Sequence, residues 1–526
     1  MKGKTKAPKE QSLAHHPSTE SIRRSGTKNI LISVFVAGTS YYSLTLIAKH
    51  FGGSQGSDIY FFIVSLSTLT AGIIGSLLGT VFLPAFINLL TNSDKAEADR
   101  FVSSIFSWCL LLSFVVSIPT IIWNEQFFMI VSKFDEFQIS QMHQILRYFA
   151  PLFLLSVLTE LFRVIALSIG KFSTAAITAF FPPFFLIIFL AYLGDKLHEE
   201  ALVASLLFAK IAALIMLVIV VSRNGVRVRL DLTKNLHTFQ FINSSVPYWS
   251  ANVITNSATF YFDYQASGLG TGVLTAISYA NRVFMLPVSV IIAPLVEIAR
   301  TQFALYQSKG DREGLNNFYN KFLSLTFYIT IPISSIILLT REELVSALFQ
   351  QGKFLSSNVL QTSDILFIYT WTIPVMAMFL VNGRICESYQ KLFWPSFFGT
   401  IGNLSLIFIT FTLTEKLGYI GIPAAKLVIE YFYFLPFGFM MFIIFGGRPN
   451  FRMIFRTLIH SLLAIIPIII SYILLDIEGY SGDSVSILYY LTKSSLLFLS
   501  YVLLLMVISK DFRRIIDSLF KVNFLK

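Results

Sequence analysis

The chain is a succession of apolar runs, each about 20 residues long and nearly free of charge, joined by short polar segments. A helix of about 20 apolar residues matches the ~30 Å hydrocarbon thickness of a bilayer. Runs of this kind fall near 29–49, 59–90, 100–122, 146–168, 172–194, 199–222, 240–266, 273–303, 319–340, 363–388, 395–413, 418–445, 455–475 and 487–509, which makes fourteen. The fold class is therefore an all-α polytopic membrane protein. Composition agrees, with 55% hydrophobic residues against 13% charged, where soluble chains carry about 25% charged. Disorder and a disulfide framework are excluded. The two cysteines, Cys109 and Cys386, lie in separate apolar runs and read as buried fillers rather than a redox or metal pair.

Fourteen spans put both termini on one side, and the basic residues test this independently because Lys and Arg collect in cytoplasmic loops. Residues 1–28 form a basic tail with seven Lys or Arg, broken by Pro8 and Pro17. Alternate segments after it carry Lys95, Lys171, Arg223, Arg227, Arg229, Lys234, Lys309, Arg312, Lys391, Arg448 and Arg452, while the opposite loops are poorer. The net charge of +11 is thus a topology signal with N and C termini inside, and nucleic acid is not an expected partner. Residues 510–526 mix Phe512, Ile515, Ile516 and Leu519 with Arg513 and Arg514 at helical spacing, which predicts an amphipathic helix on anionic membrane lipids.

Charges left inside spans are costly and mark transport paths. Arg282 lies ten residues into the eighth run, after Tyr279, Ala280 and Asn281, and Asp263 lies near the end of the seventh. Facing one cavity, they would offer an anion donor with an acidic neighbour. Pro287 and Pro294 predict a bent eighth helix, which ends with Glu297 and Arg300. Glu160/Arg163 and Arg384/Glu387 at i, i+3, and Lys426/Glu430 at i, i+4, share helical faces and read as pairs that neutralise one another. Lys210, alone in the sixth run, reads as a snorkelling side chain. The glycines of the first loop, 49–58, fit no nucleotide-binding pattern, and no zinc, nucleophile-elbow or CxxC motif occurs. No enzyme chemistry and no cofactor are expected. An Arg163 helix followed by Lys171, Phe172 and prolines in one half, and an Arg384 helix followed by Lys391 and Pro395 in the other, suggest two related bundles around a central path. Without an ATP engine, the destination is a carrier driven by membrane potential, a monovalent ion or the substrate gradient.

Several segments, in order, carry a family likeness: Ala48-Lys49-His50-Phe51-Gly52, Asp58-Ile59-Tyr60-Phe61, Phe82-Leu83-Pro84-Ala85-Phe86, Gly170-Lys171-Phe172, Ser278-Tyr279-Ala280-Asn281-Arg282-Val283 and Leu348-Phe349-Gln350-Gln351-Gly352-Lys353-Phe354. Over roughly residues 29–460 the chain resembles the MurJ-type lipid II flippases, within the group that includes multidrug and toxic-compound extruders. The resemblance implies a MATE-like fold of two pseudo-symmetric six-helix lobes, 29–222 and 240–445, joined by a cytoplasmic linker at 223–239, with two additional helices at 446–509. It implies alternating access that turns a polyprenyl-pyrophosphate-linked glycan, lipid II above all, across the bacterial cytoplasmic membrane, with envelope-synthesis enzymes as candidate partners. It assigns Arg282 to the cavity and makes Asp58 functionally sensitive; Asp263, Lys49, Arg384, Arg163 and Asn281 complete the candidate substrate-binding set. Where the family carries arginine or Arg-Asp in its first two helices, this chain has Val36-Ala37, Ser43-Leu44 and Ala71, and Asn281 stands where an aspartate is usual. Either Lys49, Arg163, Arg282 and Arg384 form a reorganised site, or the cargo is another lipid-linked polysaccharide precursor of capsule, O-antigen or exopolysaccharide. A nontransporting membrane partner in envelope synthesis is the reading from a different class.

Overall fold

The computed structural model describes residues 19–92, 94–141, 143–232, 236–389, 393–444, 446–475 and 486–514, and among them every regular element is helical. The long helices are α1 (Thr19–Phe51), α2 (Gln55–Asn92), α3 (Lys95–Ile122), α4 (His143–Ser168), α5 (Phe172–Gly194), α6 (Glu200–Arg223) and α7 (Leu236–Ala266). After α8 (Val273–Lys309) and α9 (Arg312–Phe349), α10 is a bent pair, Ser356–Trp371 and Ile373–Ser388. Then follow α11 (Phe393–Leu417), α12 (Gly421–Ile429, continued by Glu430–Phe434 and Leu435–Ile444), α13 (Phe451–Leu475) and α14 (Ile487–Ile508). Ten helical runs among the described residues are long and apolar enough to cross a membrane, or eleven with the bent pair as one span. One of the ten, the 49-residue Ser396–Ile444, folds back at the turn Gly418–Ile420. The Tyr433 hydroxyl donates to the Phe398 carbonyl at 2.7 Å, so α11 and α12 stand side by side.

Helix α4 packs against α2, α3 and α6, and α5 joins α6 to α1. In the second half α7 packs on α11, while α10 packs on α8, α9 and α12. The two groups meet chiefly where α2 crosses α7 and α8, with a smaller contact of α1 on α9.

Two local devices occur in both halves. Helices α2 and α8 each contain one π-helical turn, Leu78–Phe82 and Val288–Ile292. Pro84 and Pro294 cannot donate to the carbonyl four residues earlier, and the widened turn instead closes from Leu83 N–H to Leu78 C=O and from Ala293 N–H to Val288 C=O. Burial repeats with them: Leu78, Phe82, Phe86 and Leu89 are buried, as are Val288, Ile292, Val296 and Ala299. The second device is an extended linker laid along a helix. Amides of Arg227, Arg229 and Asp231 donate to Asp99, Ser103 and Ser107 on α3 at 3.1, 3.0 and 2.7 Å. Amides of Arg448 and Asn450 likewise donate to Asn316 and Asn320 on α9 at 2.8 and 2.7 Å. Two extended residues advance about 6.7 Å and four helical residues about 6 Å, so alternate amides meet every fourth side chain.

Three expectations change. The ninth helix runs from Arg312 to Phe349 rather than 319–340, because its polar ends are helical too, and it kinks at Thr340 (φ −107°, ψ 18°). The tenth is not one straight helix over 363–388: its halves meet at 45° around Thr372. The C-terminal segment does not present Phe512 to lipid, since that ring is buried against Tyr328 at 5.2 Å between centroids. Its neighbour Asp511 pairs with Arg456. Residues 515–526, like 1–18, lie outside the described residues.

Helices α13 and α14 pack on each other and on α9. Their seam holds a buried ion pair, Lys493 Nζ to Glu343 Oε1 at 2.7 Å, with side chains only 2% and 6% exposed. The ammonium also sits 4.5 Å from the Tyr472 ring centroid. Removing one partner of a buried pair strands the other charge, a loss of about 3–5 kcal/mol. Lys493→Met is expected to lower the unfolding midpoint of detergent-purified protein, and adding Glu343→Leu to restore most of it. A wild-type midpoint for the single variant would mean that the pair does not fasten α14.

Candidate functional site

Four of the segments that carry the family likeness, 48–52, 58–61, 278–283 and 348–354, converge at one end of the molecule, whereas 82–86 lies about 36 Å further along α2. Asp58, on the first turn of α2, is buried and accepts hydrogen bonds from Gly272 N–H at 2.5 Å, Thr275 N–H at 2.8 Å and Thr275 Oγ1 at 2.6 Å. Those amides belong to the start of α8, whose first-turn N–H groups have no partner within the helix. Asp58 therefore caps α8 from another helix, where a carboxylate is also favoured by the helix dipole. Beside it the loops 49–53 and 350–354 lie back to back. Lys353 N–H donates to the Lys49 carbonyl at 3.0 Å. Gly52 (φ +59°) and Gly352 (φ +57°) are in left-handed conformation, and a Cβ on either would stand 2.2 or 2.3 Å from a carbonyl oxygen of the facing loop. Only glycine fits at such a contact. Beneath this clasp the fully buried Tyr279 packs on Phe349, Phe354 and Phe61, with centroids 4.5, 5.4 and 5.5 Å away, and donates to the Leu44 carbonyl.

Arg282 follows Thr275 by two helical turns, about 10 Å deeper. It is exposed, as is Asn281, and among the described residues its guanidinium has no ion-pair partner. The Tyr41 hydroxyl donates to its carbonyl at 2.6 Å and ties α1 to α8 at this depth. Asp263 does not pair with Arg282. It accepts a short hydrogen bond from Ser65 and joins α7 to α2.

The predicted cations do not share one site. The exposed Lys49 stands at the clasp itself. Arg384 pairs with Glu297 of α8 at 2.5 Å, while the side chain of its expected i, i+3 neighbour Glu387 lies outside the described residues. Arg163 is held by Glu160 as expected, Nε to Oε2 at 2.8 Å and Nη2 to Oε1 at 2.6 Å. This pair lines a cavity of about 510 Å³ between α2, α4, α6 and α7. Lys210 lines the same cavity and does not snorkel. The Lys426 ammonium lies over the rings of Phe284 and Tyr369, at 4.5 and 5.5 Å, and not on Glu430. Asn256, which also lines the cavity, and Tyr41 carry no sequence signal, because uncharged side chains do not stand out in a span rich in Ser, Thr and Tyr. Among the described residues no three His, Cys, Asp or Glu side chains gather as a metal site requires.

The all-helical polytopic fold is shared with solved membrane transporters. An inward-facing multidrug resistance MATE transporter of the MOP superfamily superposes with a TM-score of 0.63 at 13% identity, over 76% of this chain and 94% of the other. A lipid II flippase MurJ in an inward closed conformation superposes with a TM-score of 0.77 at 18% identity, over 95% and 99%. The family model for the lipid II flippase MurJ matches residues 47–495, and the chain belongs to that family. A probable lipid II flippase MurJ from Rhizobium meliloti (strain 1021) is 23% identical over 271 residues, 50% of each chain. The lipid II flippase MurJ of Thermosipho africanus (strain TCF52B) is 26% identical over 149 residues, 28% of this chain and 30% of its own. The matched region thus spans half or less of the length of these curated relatives.

Loss of Asp58 leaves two α8 amides without their buried acceptor, at about 1–3 kcal/mol each. In a background where Cys109 and Cys386 are replaced by Ala, Asn281→Cys should react slowly with a membrane-impermeant maleimide added on the clasp side. Asp58→Ala should speed that reaction several-fold. Equal labelling with and without Asp58 would show that the carboxylate does not hold the end shut.

Proposed function

We propose that the protein moves a polyprenyl-pyrophosphate-linked glycan, with lipid II as the cargo, across the bacterial cytoplasmic membrane by alternating access. The reading is carried by one observation: the clasp of Asp58, Gly52 and Gly352 closes one end while Arg282, just below it, has no ion-pair partner among the described residues. A guanidinium presents donors in a fork that matches phosphate oxygens. Family membership supports the same class of cargo.

In this reading α1 and α7, at 33 and 31 residues, also span. With α11 and α12 as separate spans and α10 as one, the total is fourteen, with both termini cytoplasmic and the clasp on the outer face. The matched π turns and matched linkers of the two halves favour two six-helix lobes, 29–222 and 240–445, followed by the pair α13 and α14. Movement is driven by membrane potential or a monovalent ion. The neutral Ala71 in the cavity wall favours, as a second reading, a different lipid-linked polysaccharide precursor.

Depletion of the protein should raise lipid II on the inner leaflet. Wild type should restore outward movement, and Arg282→Ala should fail to do so at equal membrane abundance. Unchanged lipid II distribution on depletion, with accumulation of another lipid-linked glycan, would select the second reading. Full rescue by Arg282→Ala would overturn the site.

A further inference from the structure

The cavity between α2, α4, α6 and α7 is separate from the clasp and differs from the Arg282 region in its chemistry. Its ionisable groups are Glu160, Arg163 and Lys210, a formal balance of +1. Glu160 is the more enclosed partner, its side chain 15% exposed against 36% for Arg163. The carboxylate engages Arg163 Nε and Nη2, so the Nη1 edge of the guanidinium keeps its donors. Lys210, well inside α6, has no hydrogen bond or salt bridge among the described residues, although Glu160 and Arg163 lie within its electrostatic reach. An ammonium in a span is retained at a cost unless something pairs with it.

The neighbouring wall of α2 is cut back to make room. A Cβ on Gly75 would stand 2.4 Å from Glu160 Oε1, and one on Gly72 would stand 2.4 Å from Asn256 Oδ1. The hydroxyls of Thr68 and Ser76 donate to carbonyls of their own helix, at 2.8 and 2.9 Å. The donors left for a ligand are those of Lys210, the free edge of Arg163 and one amide N–H of Asn256, whose other is given to the Asn252 carbonyl. The volume falls within the ~300–1,000 Å³ of small-molecule sites.

The one net positive charge of the cavity is balanced by a single carboxylate. Lysine acts as a point charge, without the fork that favours phosphate. We propose that this cavity is a second subsite, which takes a carboxylate of the cargo headgroup, from an acidic sugar or a peptide, with Lys210 as its selecting residue. The inference rests on the flippase reading above and adds a determinant of headgroup specificity to it. The pyrophosphate stays with Arg282, and the Lys210 cavity distinguishes acidic from neutral headgroups.

Two probes separate these roles in binding to the purified full-length protein: a polyprenyl-pyrophosphoryl sugar that is neutral beyond the pyrophosphate, and one whose sugar bears a carboxylate-containing peptide. Wild type should prefer the second. Lys210→Met should weaken the acidic probe by about tenfold, the size of a lost charge-assisted hydrogen bond, and leave the neutral probe unchanged. Lys210→Arg should keep the preference. Arg282→Ala should weaken both probes together. The unfolding midpoint of Lys210→Met should not fall, because the variant removes a charge that has no salt bridge.

Equal affinity of Lys210→Met and wild type for the acidic probe would overturn the proposal, as would equal loss for both probes or a lowered midpoint with the preference intact. If Arg282→Ala leaves both affinities unchanged while Lys210→Met discriminates, the pyrophosphate assignment fails and the carboxylate subsite stands. If wild type binds neither probe, both fail.

Discussion

A carboxylate from one helix satisfies the first turn of another, and the closed end of the molecule depends on that contact. In a bilayer the unpaired amides at a helix start have no water to turn to. Asp58 answers this for α8 across the junction of the two halves. The glycine-tight loops beside it then approach to backbone distance, and Tyr279 fills the space below with a ring whose neighbours come from α2 and from both sides of the 350–354 loop. The clasp is thus a layer of hydrogen bonds and close backbone packing laid over a buried aromatic cluster that joins the same elements.

The interior charges fall into kinds once their partners are known. Lys493 with Glu343 is enclosed and serves attachment. Arg384 with Glu297 joins α10 to α8. Lys426 rests on aromatic faces. Arg282 and Lys210 are left facing open space without salt bridges, at different places and with different surroundings. The cations Lys49, Arg163, Arg282 and Arg384 are thus not gathered into one site, and Arg282 and Lys210 stand in electrostatically distinct surroundings.

Much of the fold was legible because hydrocarbon imposes a single length and a single period on each run. The Arg163–Glu160 pair was legible too, since i, i+3 spacing fixes who can meet on one helix. Partnerships across helices were not. Nothing local announces that Arg384 reaches Glu297 on α8, or that Lys493 reaches Glu343. Asp58 had stood out by resemblance and been given to substrate. Its geometry gives it to the clasp, because all its close donors come from α8. The bend at Thr372 was hidden for a related reason: apolar composition runs through it unbroken.

The paired π turns of α2 and α8 bear on how the two halves can change over time. A π turn holds one residue more than the α-helical turn it replaces, so everything beyond it is turned by about 100° about the helix axis. The faces that carry Phe82 and Phe86 in one helix, and Ile292 and Val296 in the other, owe their inward aim to that extra residue. A single-residue deletion within either turn would cost no span and no charge, yet it would set one helix out of phase with its counterpart. Length at these two points is thus constrained more tightly than the identity of any side chain there.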